Sequence, residues 1–177
     1  MVTEPRFLLT TKDHAILQAM LDQHRGPHGP FVQLLDHKVR ASAIAFRDDI
    51  PPGVVTLDSR VTYRVDGVLA GPHVLVRSDG PDLPDHALSI HTIRGLALLG
   101  LSERGEVVVD LGDGVTEALR VEAVLWQPEA EARKRQGVRG ATAAADAGTV
   151  VSFRPRTAPA MPGRPGPEDD DPGPRAA

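Results

Sequence analysis

Apolar residues in the first fifty positions recur with the period of an α-helix. A first group shares one face, at spacings of one, four and five residues: Ile16, Leu17, Met20 and Leu21. Thr10 or Thr11 can cap this helix, and Asp13 falls in the first turn, where the helix dipole favours a carboxylate. The segment RGPHGP, residues 25–30, must then break the helix. The pattern predicts an amphipathic helix over about residues 11–24.

A second helical pattern follows this break. Its apolar positions again lie three to four residues apart for the most part: Phe31, Leu34, Leu35, Val39 and Phe46. The segment DDIPPG, residues 48–53, ends the pattern because neither proline continues a helix. Two narrow apolar faces joined by a short turn predict a small antiparallel coiled coil, a helical hairpin, over residues 6–50.

From Val54 onward the apolar period changes to two, as in a strand with one buried face. A turn signal at Asp66-Gly67 and a GDG hairpin signal at residues 112–114 separate the alternating runs. The predicted strands cover residues 61–65, 74–76, 87–91, 107–111 and 119–125, with one short helix at residues 96–101. Residues 51–130 are therefore expected to form an α+β domain, a twisted antiparallel sheet with a helix on one face.

The composition changes after Trp126. The remaining chain is rich in Pro, Gly, Ala and Arg and has almost no apolar periodicity, so it buries too little surface to offset its ordering entropy. We predict a disordered tail over residues 131–177. Its apolar stretch is VVSF, residues 150–153, and its charge runs are RKR at residues 133–135 and EDDD at residues 168–171. Both charge runs are interpreted as solvated charge.

Composition and charge exclude or disfavour several classes of function. The chain has 177 residues and no cysteine, which excludes disulfides, cysteine zinc sites and cysteine nucleophiles. It shows no secretory signal and no apolar run near the roughly 20 residues of a membrane span, so we expect a soluble, cytoplasmic protein without a membrane partner. Residues 1–127 hold 17 acids against 12 Lys and Arg. That balance disfavours direct DNA binding and favours a basic protein surface as partner.

Three segments together resemble a known family. They are IPPGVVTLDSRVTYRV at residues 50–65, LSIHTIRGLALLGLSERGEVVV at residues 88–109 and LRVEAVLWQPEA at residues 119–130. They are similar to the bacterial regulators of nucleoside diphosphate kinase, which are relatives of the Gre transcript-cleavage factors. The resemblance covers about residues 6–130. It implies an FKBP-like domain behind a short coiled coil, docked at the secondary-channel rim of bacterial RNA polymerase, with nucleic acid met only through the polymerase.

The resemblance also implies which loop contacts the polymerase. The corresponding loop follows the third strand, and its candidate residues are His91, Thr92, Ile93 and Arg94. This chain lacks the proline and the preceding acid that relatives usually carry there, so the loop can alternatively be a plain connection from strand to helix. The following stretch, residues 94–109, is interpreted as structural, since no helix with a poised lysine begins after its glycines.

The turn of the predicted hairpin bears on chemistry. In the Gre cleavage factors, acids at this tip help to hold a second magnesium ion in the polymerase active site. Here residues 23–30 read QHRGPHGP and contain no carboxylate, while Asp22 and Asp36 lie down the helices. The channel-facing candidates are His24, Arg25 and His28. Gly26-Pro27 breaks the helix that would align the two histidines, so we expect no metal or other cofactor.

These observations predict a non-enzymatic regulator of transcription elongation that acts as a monomer. It would bind RNA polymerase, occupy the secondary channel and compete with the Gre factors. Two alternatives stay open: an active transcript-cleavage factor, and an adaptor that regulates nucleoside diphosphate kinase without touching the polymerase.

Overall fold

The computed structural model describes residues 7–146, with side chains to residue 137. Along this range the elements follow in the order β1 (Leu8–Thr10), α1 (Thr11–Gln23), α2 (Pro30–Ala41), β2 (Ala43–Ala45), β3 (Arg60–Val65), β4 (Val68–Val76), β5 (Ala87–Ser89), α3 (Ile93–Leu98), β6 (Glu106–Gly112), β7 (Val115–Trp126) and α4 (Pro128–Asp146). None of the helices in this range is both long and apolar enough to cross a membrane.

The first two helices begin where the sequence predicts. Thr10 caps α1, because its side-chain oxygen accepts a hydrogen bond from the Asp13 N–H at 3.0 Å. Pro30 opens α2, where its missing N–H costs nothing. The predicted extension of α2 to Phe46 is wrong. The helix ends at Ala41 because residues 43–45 pair in parallel with β1, and Phe46 is left 74% exposed.

The main sheet has five strands in the order β5-β4-β3-β7-β6. Alternation in the sequence located β3, β6 and β7, whereas β4 begins six residues before the predicted segment 74–76 and β5 ends two residues before the predicted end at residue 91. Asp66 and Gly67 take up the positive φ angles of a tight turn between β3 and β4. The sheet is not purely antiparallel as predicted, because β5 pairs with β4 in parallel. A parallel partner requires a crossover, and the chain supplies it with the long loop between β4 and β5.

The core lies between the sheet and α3. Leu96, Leu98 and Leu99 are fully buried, as are Val61 and Leu119 on the facing strands. The helix begins and ends three residues earlier than predicted, since Thr92 caps it by accepting from the Gly95 N–H at 3.1 Å. Gly100 follows the helix with a φ of +82°, a conformation that glycine adopts without strain.

The chain after the sheet differs most from expectation. The predicted disordered tail over residues 131–177 starts too early, because α4 runs on to Asp146. Glu129 and Glu131 lie in its first turn, and the segment EAEARKR consists of strong helix formers. Amphipathic periodicity is not needed for such a helix, which explains why the composition was misread. The stretches at residues 150–153 and 168–171 lie outside the described residues.

Candidate protein-binding site

The turn between α1 and α2 spans residues 24–29 and is open to solvent. His24, Arg25 and His28 are all exposed. A hydrogen bond between His24 Nε2 and the Pro27 carbonyl, at 3.3 Å, spans the turn. The structure thus brings the three predicted tip residues together on one short, exposed loop whose side chains are neutral or positive.

The two carboxylates nearest this turn are engaged on their own helices. Asp22 Oδ1 accepts from Gln18 Nε2 at 2.9 Å, one helical turn back along α1. Asp36 Oδ1 accepts from Arg40 Nε at 2.8 Å on α2. In the part of the chain that the structure describes, no three His, Asp or Glu side chains cluster as ligands for a metal ion.

The hairpin lies beside the sheet at the edge strand β6. A depression of about 240 Å³ separates α2 from this strand and is lined by Pro30, Gln33, Leu34, His37 and residues 108–110. Pro30, the first residue of α2, is therefore close to the sheet.

The other end of α2 is fixed by a buried lysine that sequence analysis missed. Lys38 is fully buried, and its Nζ donates to the carbonyl oxygens of Ala97, at 2.9 Å, and of Leu99. The same amine lies 3.7 Å from the centre of the Phe7 ring. Burial holds the pKa of Lys38 well below its usual value. Lys38 ties the hairpin to the end of α3.

A buried carboxylate fixes the start of α1. Asp13 is 1% exposed, and its Oδ2 accepts from the Leu57 N–H at 3.4 Å. Burial raises the pKa of Asp13 to about 6, although the hydrogen bonds from Thr10 and Leu57 oppose that change. The sequence placed Asp13 in the first turn of a helix, but it gave no sign of the burial. Asp13 joins the hairpin to the segment before β3.

The predicted polymerase-contacting loop, His91 to Arg94, forms the entry to α3. Thr92 is engaged in capping this helix, and its hydroxyl also donates to the Ser89 carbonyl at 2.7 Å. Ile93 is half-buried against the core. His91 is exposed, with its Nδ1 3.7 Å from an oxygen of Asp79. Thr92 has a structural role in this loop, while His91 stays accessible.

Arg94 is held in place by a residue from another element. Its Nε and Nη2 donate to the two carboxylate oxygens of Glu117 on β7, at 2.8 and 2.5 Å. This two-point hydrogen bonding raises the pKa of Arg94 and lowers the pKa of Glu117. Arg94 remains half-exposed, whereas Glu117 is only 12% exposed. Glu117 was not a sequence candidate, because nothing in its strand pattern marks its partner 23 residues away.

Comparisons with known proteins support the architecture. No family model matches the chain, and no curated protein matches it. Among solved structures, the prokaryotic transcription elongation factor GreA/GreB from Nitrosomonas europaea is similar, with a TM-score of 0.51 and 24% identity over 70% of this chain and all of that chain.

Two structures of Gfh1 are also similar, one of the transcription factor Gfh1 and one of GreA factor homolog 1 (Gfh1) of Thermus thermophilus. Their TM-scores are 0.33 and 0.29, at 16% and 13% identity. They cover 70% and 67% of this chain, and 100% and 97% of their own. These two likenesses are too loose to support an argument. The likeness to the Nitrosomonas structure shows a Gre-like fold over the 70% of this chain that it covers.

Proposed function

We propose that this protein binds bacterial RNA polymerase at the rim of the secondary channel and regulates elongation without contributing a catalytic metal ligand. The Gre-like fold supports a role in transcription. The observation that carries the proposal is the carboxylate-free turn at residues 24–29, in which the side chains that could meet a partner are His24, Arg25 and His28.

The chemistry of this turn argues against metal-assisted cleavage. Mg²⁺ takes oxygen ligands, above all carboxylates, and it demands them close together in near-octahedral geometry. The carboxylates of Asp22 and Asp36 accept hydrogen bonds from Gln18 and Arg40 on their own helices. A turn that carries an arginine adds positive charge where a second metal ion would have to bind, which repels it.

The dimensions of the hairpin point the same way. The 13 residues of α1 span about 20 Å at 1.5 Å per residue. The start of α2 also lies beside β6, across a shallow depression. A hairpin of this reach fits a role as a plug at a channel entrance, and the protein then competes with cleavage factors for one site.

The sheet domain supplies the docking contact in this proposal. At the entry to α3, Ile93 offers an apolar side chain and Arg94 a guanidinium whose direction Glu117 fixes. Preorganising a long side chain lowers the entropy that binding would otherwise cost. Glu117 thus acts as a positioning residue for Arg94.

Binding to core RNA polymerase tests the proposal. Labelled protein should bind and should be displaced by a cleavage factor in proportion to its concentration. Arg94→Ala should weaken binding by about tenfold. Arg64→Ala is the matched control, since Arg64 forms a similar half-exposed ion pair with Glu122, and it should leave binding unchanged. Failure of the wild-type protein to bind would contradict the proposal and favour the adaptor for nucleoside diphosphate kinase.

A further inference from the structure

A shallow pocket of about 110 Å³ lies where β7 runs into α4. Its lining includes Pro52, Leu125, Trp126 and Lys134, and we name it the α4 pocket. Leu125 is 54% exposed and Trp126 is 43% exposed. The two side chains are adjacent, and contiguous exposed apolar surface with a polar rim is typical of a binding site.

The backbone around the α4 pocket is held by buried side chains. Gln127 Nε2 donates to the carbonyl oxygens of Pro51 and Val54, at 2.9 and 2.8 Å. Thr56 Oγ1 donates to Glu129 Oε2 at 2.7 Å. These bonds lock the first turn of α4 to the segment before β3, so the α4 pocket exists before any ligand arrives.

Charges of both signs lie around the α4 pocket, and Glu103, which accepts from the N–H of the lining residue Val124, is an acid beside it. Lys134 lies in the lining, and Arg60 is the direct cross-strand neighbour of Trp126. Glu131 also lines the pocket, and Arg135 neutralises it at 3.6 Å. A ligand that matches this surface presents flat apolar groups to Trp126 and negative charge to Lys134 and Arg60.

We propose that the chain's own segment PGPEDDDPGP, residues 165–174, docks in the α4 pocket. Four consecutive acids, residues 168–171, stand between two Pro-Gly-Pro triplets, residues 165–167 and 172–174. They are the only acids among the 31 residues that follow Asp146. Proline rings pack well on exposed aromatic side chains, which is how aromatic grooves bind proline-rich segments. The acids then meet Lys134 and Arg60.

The tether between the two parts is long enough for this contact. Twelve residues of α4 separate Lys134 from Asp146, a distance of about 18 Å along the helix. Twenty-two further residues lead to Glu168, and a random-coil linker of that length would span about 25 Å on average. A tether whose mean span is close to the distance required gives an effective concentration in the millimolar range. At that effective concentration the docked state is populated even if the segment binds the α4 pocket only weakly.

Trp126 is the single tryptophan of the sequence and reports directly on the α4 pocket. The test measures acrylamide quenching of its fluorescence in the full-length protein. The change is the four-site variant Glu168→Gln, Asp169→Asn, Asp170→Asn, Asp171→Asn. It should raise the quenching constant about twofold, since the docked segment no longer covers the ring. About 0.5 M salt should raise the wild-type value equally, because it screens the charges.

Two further variants separate this proposal from its competitors. Lys134→Glu should raise quenching as the four-site variant does, while the tail control Arg154→Gln, Arg156→Gln should behave as the wild type. Equal quenching in all of these proteins would overturn the proposal. A single-stranded oligoribonucleotide provides a second test. A docked tail segment would have to be displaced before the oligoribonucleotide could bind, so the wild type should be protected less than the four-site variant. Equal protection of Trp126 in the two proteins would also overturn the proposal.

Discussion

The two ends of the helical hairpin are built in different ways. At the base, Asp13 and Lys38 are buried and hydrogen-bonded to backbone groups of the sheet domain. At the turn, residues 22–28 are all exposed, and one bond between His24 and Pro27 crosses the loop. The base buries two ionisable side chains, and this burial costs free energy. Every ionisable side chain of the turn is exposed.

This difference separates what holds the hairpin from what the hairpin presents. Polar groups at the base fix its direction relative to the sheet, because hydrogen bonds are directional and apolar contacts are not. The turn contributes little to the fold, so its residues are available to a partner. Mutations at the base should therefore act on stability, and mutations at the turn should act on binding.

The largest effect is expected for Lys38→Ala. This change leaves a cavity under Phe7 and removes the donor from two buried carbonyl oxygens, those of Ala97 and Leu99. We expect a loss of about 3–5 kcal/mol in the free energy of unfolding, measured with urea. Lys38→Met keeps the apolar stem and should lose about half as much. A loss below about 1 kcal/mol for Lys38→Ala would show that the amine does not hold the hairpin.

A smaller effect of opposite sign is expected for Asp13→Asn. The folded protein raises the pKa of Asp13 from 3.8 to about 6, so the folded chain binds its proton more tightly than the unfolded chain. The free energy of unfolding should then fall as the pH rises from about 4 to 6, by up to about 3 kcal/mol. Asparagine mimics the protonated form and should stabilise the protein by about 1–3 kcal/mol at neutral pH.

Urea unfolding across the range from about pH 4 to pH 7 measures this effect. Asp13→Asn should flatten the pH dependence, whereas Asp36→Asn, which alters a partly exposed carboxylate on α2, should leave the slope as it is. An unchanged slope in Asp13→Asn would mean that another group causes the pH dependence.

The smallest effect on stability is expected at the turn. Arg25→Ala and His28→Ala remove exposed side chains for which the structure records no hydrogen bond or ion pair within the described residues, so each should change the free energy of unfolding by less than about 0.5 kcal/mol. The same changes should weaken competition with a cleavage factor for RNA polymerase. Thermal unfolding and displacement assays on the same samples check both statements. A turn variant that is clearly destabilised would contradict the claim that the turn contributes little to the stability of the fold.

Periodicity made much of the fold predictable. The alternation in β3, β6 and β7 and the capping threonine of α1 depend only on residues that are close in sequence. Such local patterns can be recognised without knowing the tertiary contacts. The three-residue strands β1 and β2 were missed because a segment this short shows no period. Their pairing depends on a partner 35 positions away in the sequence. The helix α4 was missed since its residues favour a helix through propensity and not through an apolar face.

The candidate site was predictable only in part. The carboxylate-free turn could be read directly from QHRGPHGP, because its neighbours are adjacent in the chain. Glu117, Lys38 and Asp13 take their roles from residues 23 or more positions away, and a single sequence does not reveal such pairings. The FKBP-like character of the sheet domain and the coiled-coil character of the hairpin stay predictions.

Transcript cleavage in a backtracked RNA polymerase complex tests the central claim most directly. The full-length protein, at micromolar concentration, should not accelerate cleavage and should slow a true cleavage factor as its concentration rises. Placing carboxylates in the turn, with Gly26→Asp and Gly29→Glu, should still give little cleavage, since the hairpin is short and lies beside β6. Acceleration of cleavage by the wild-type protein would contradict the account and identify an active cleavage factor.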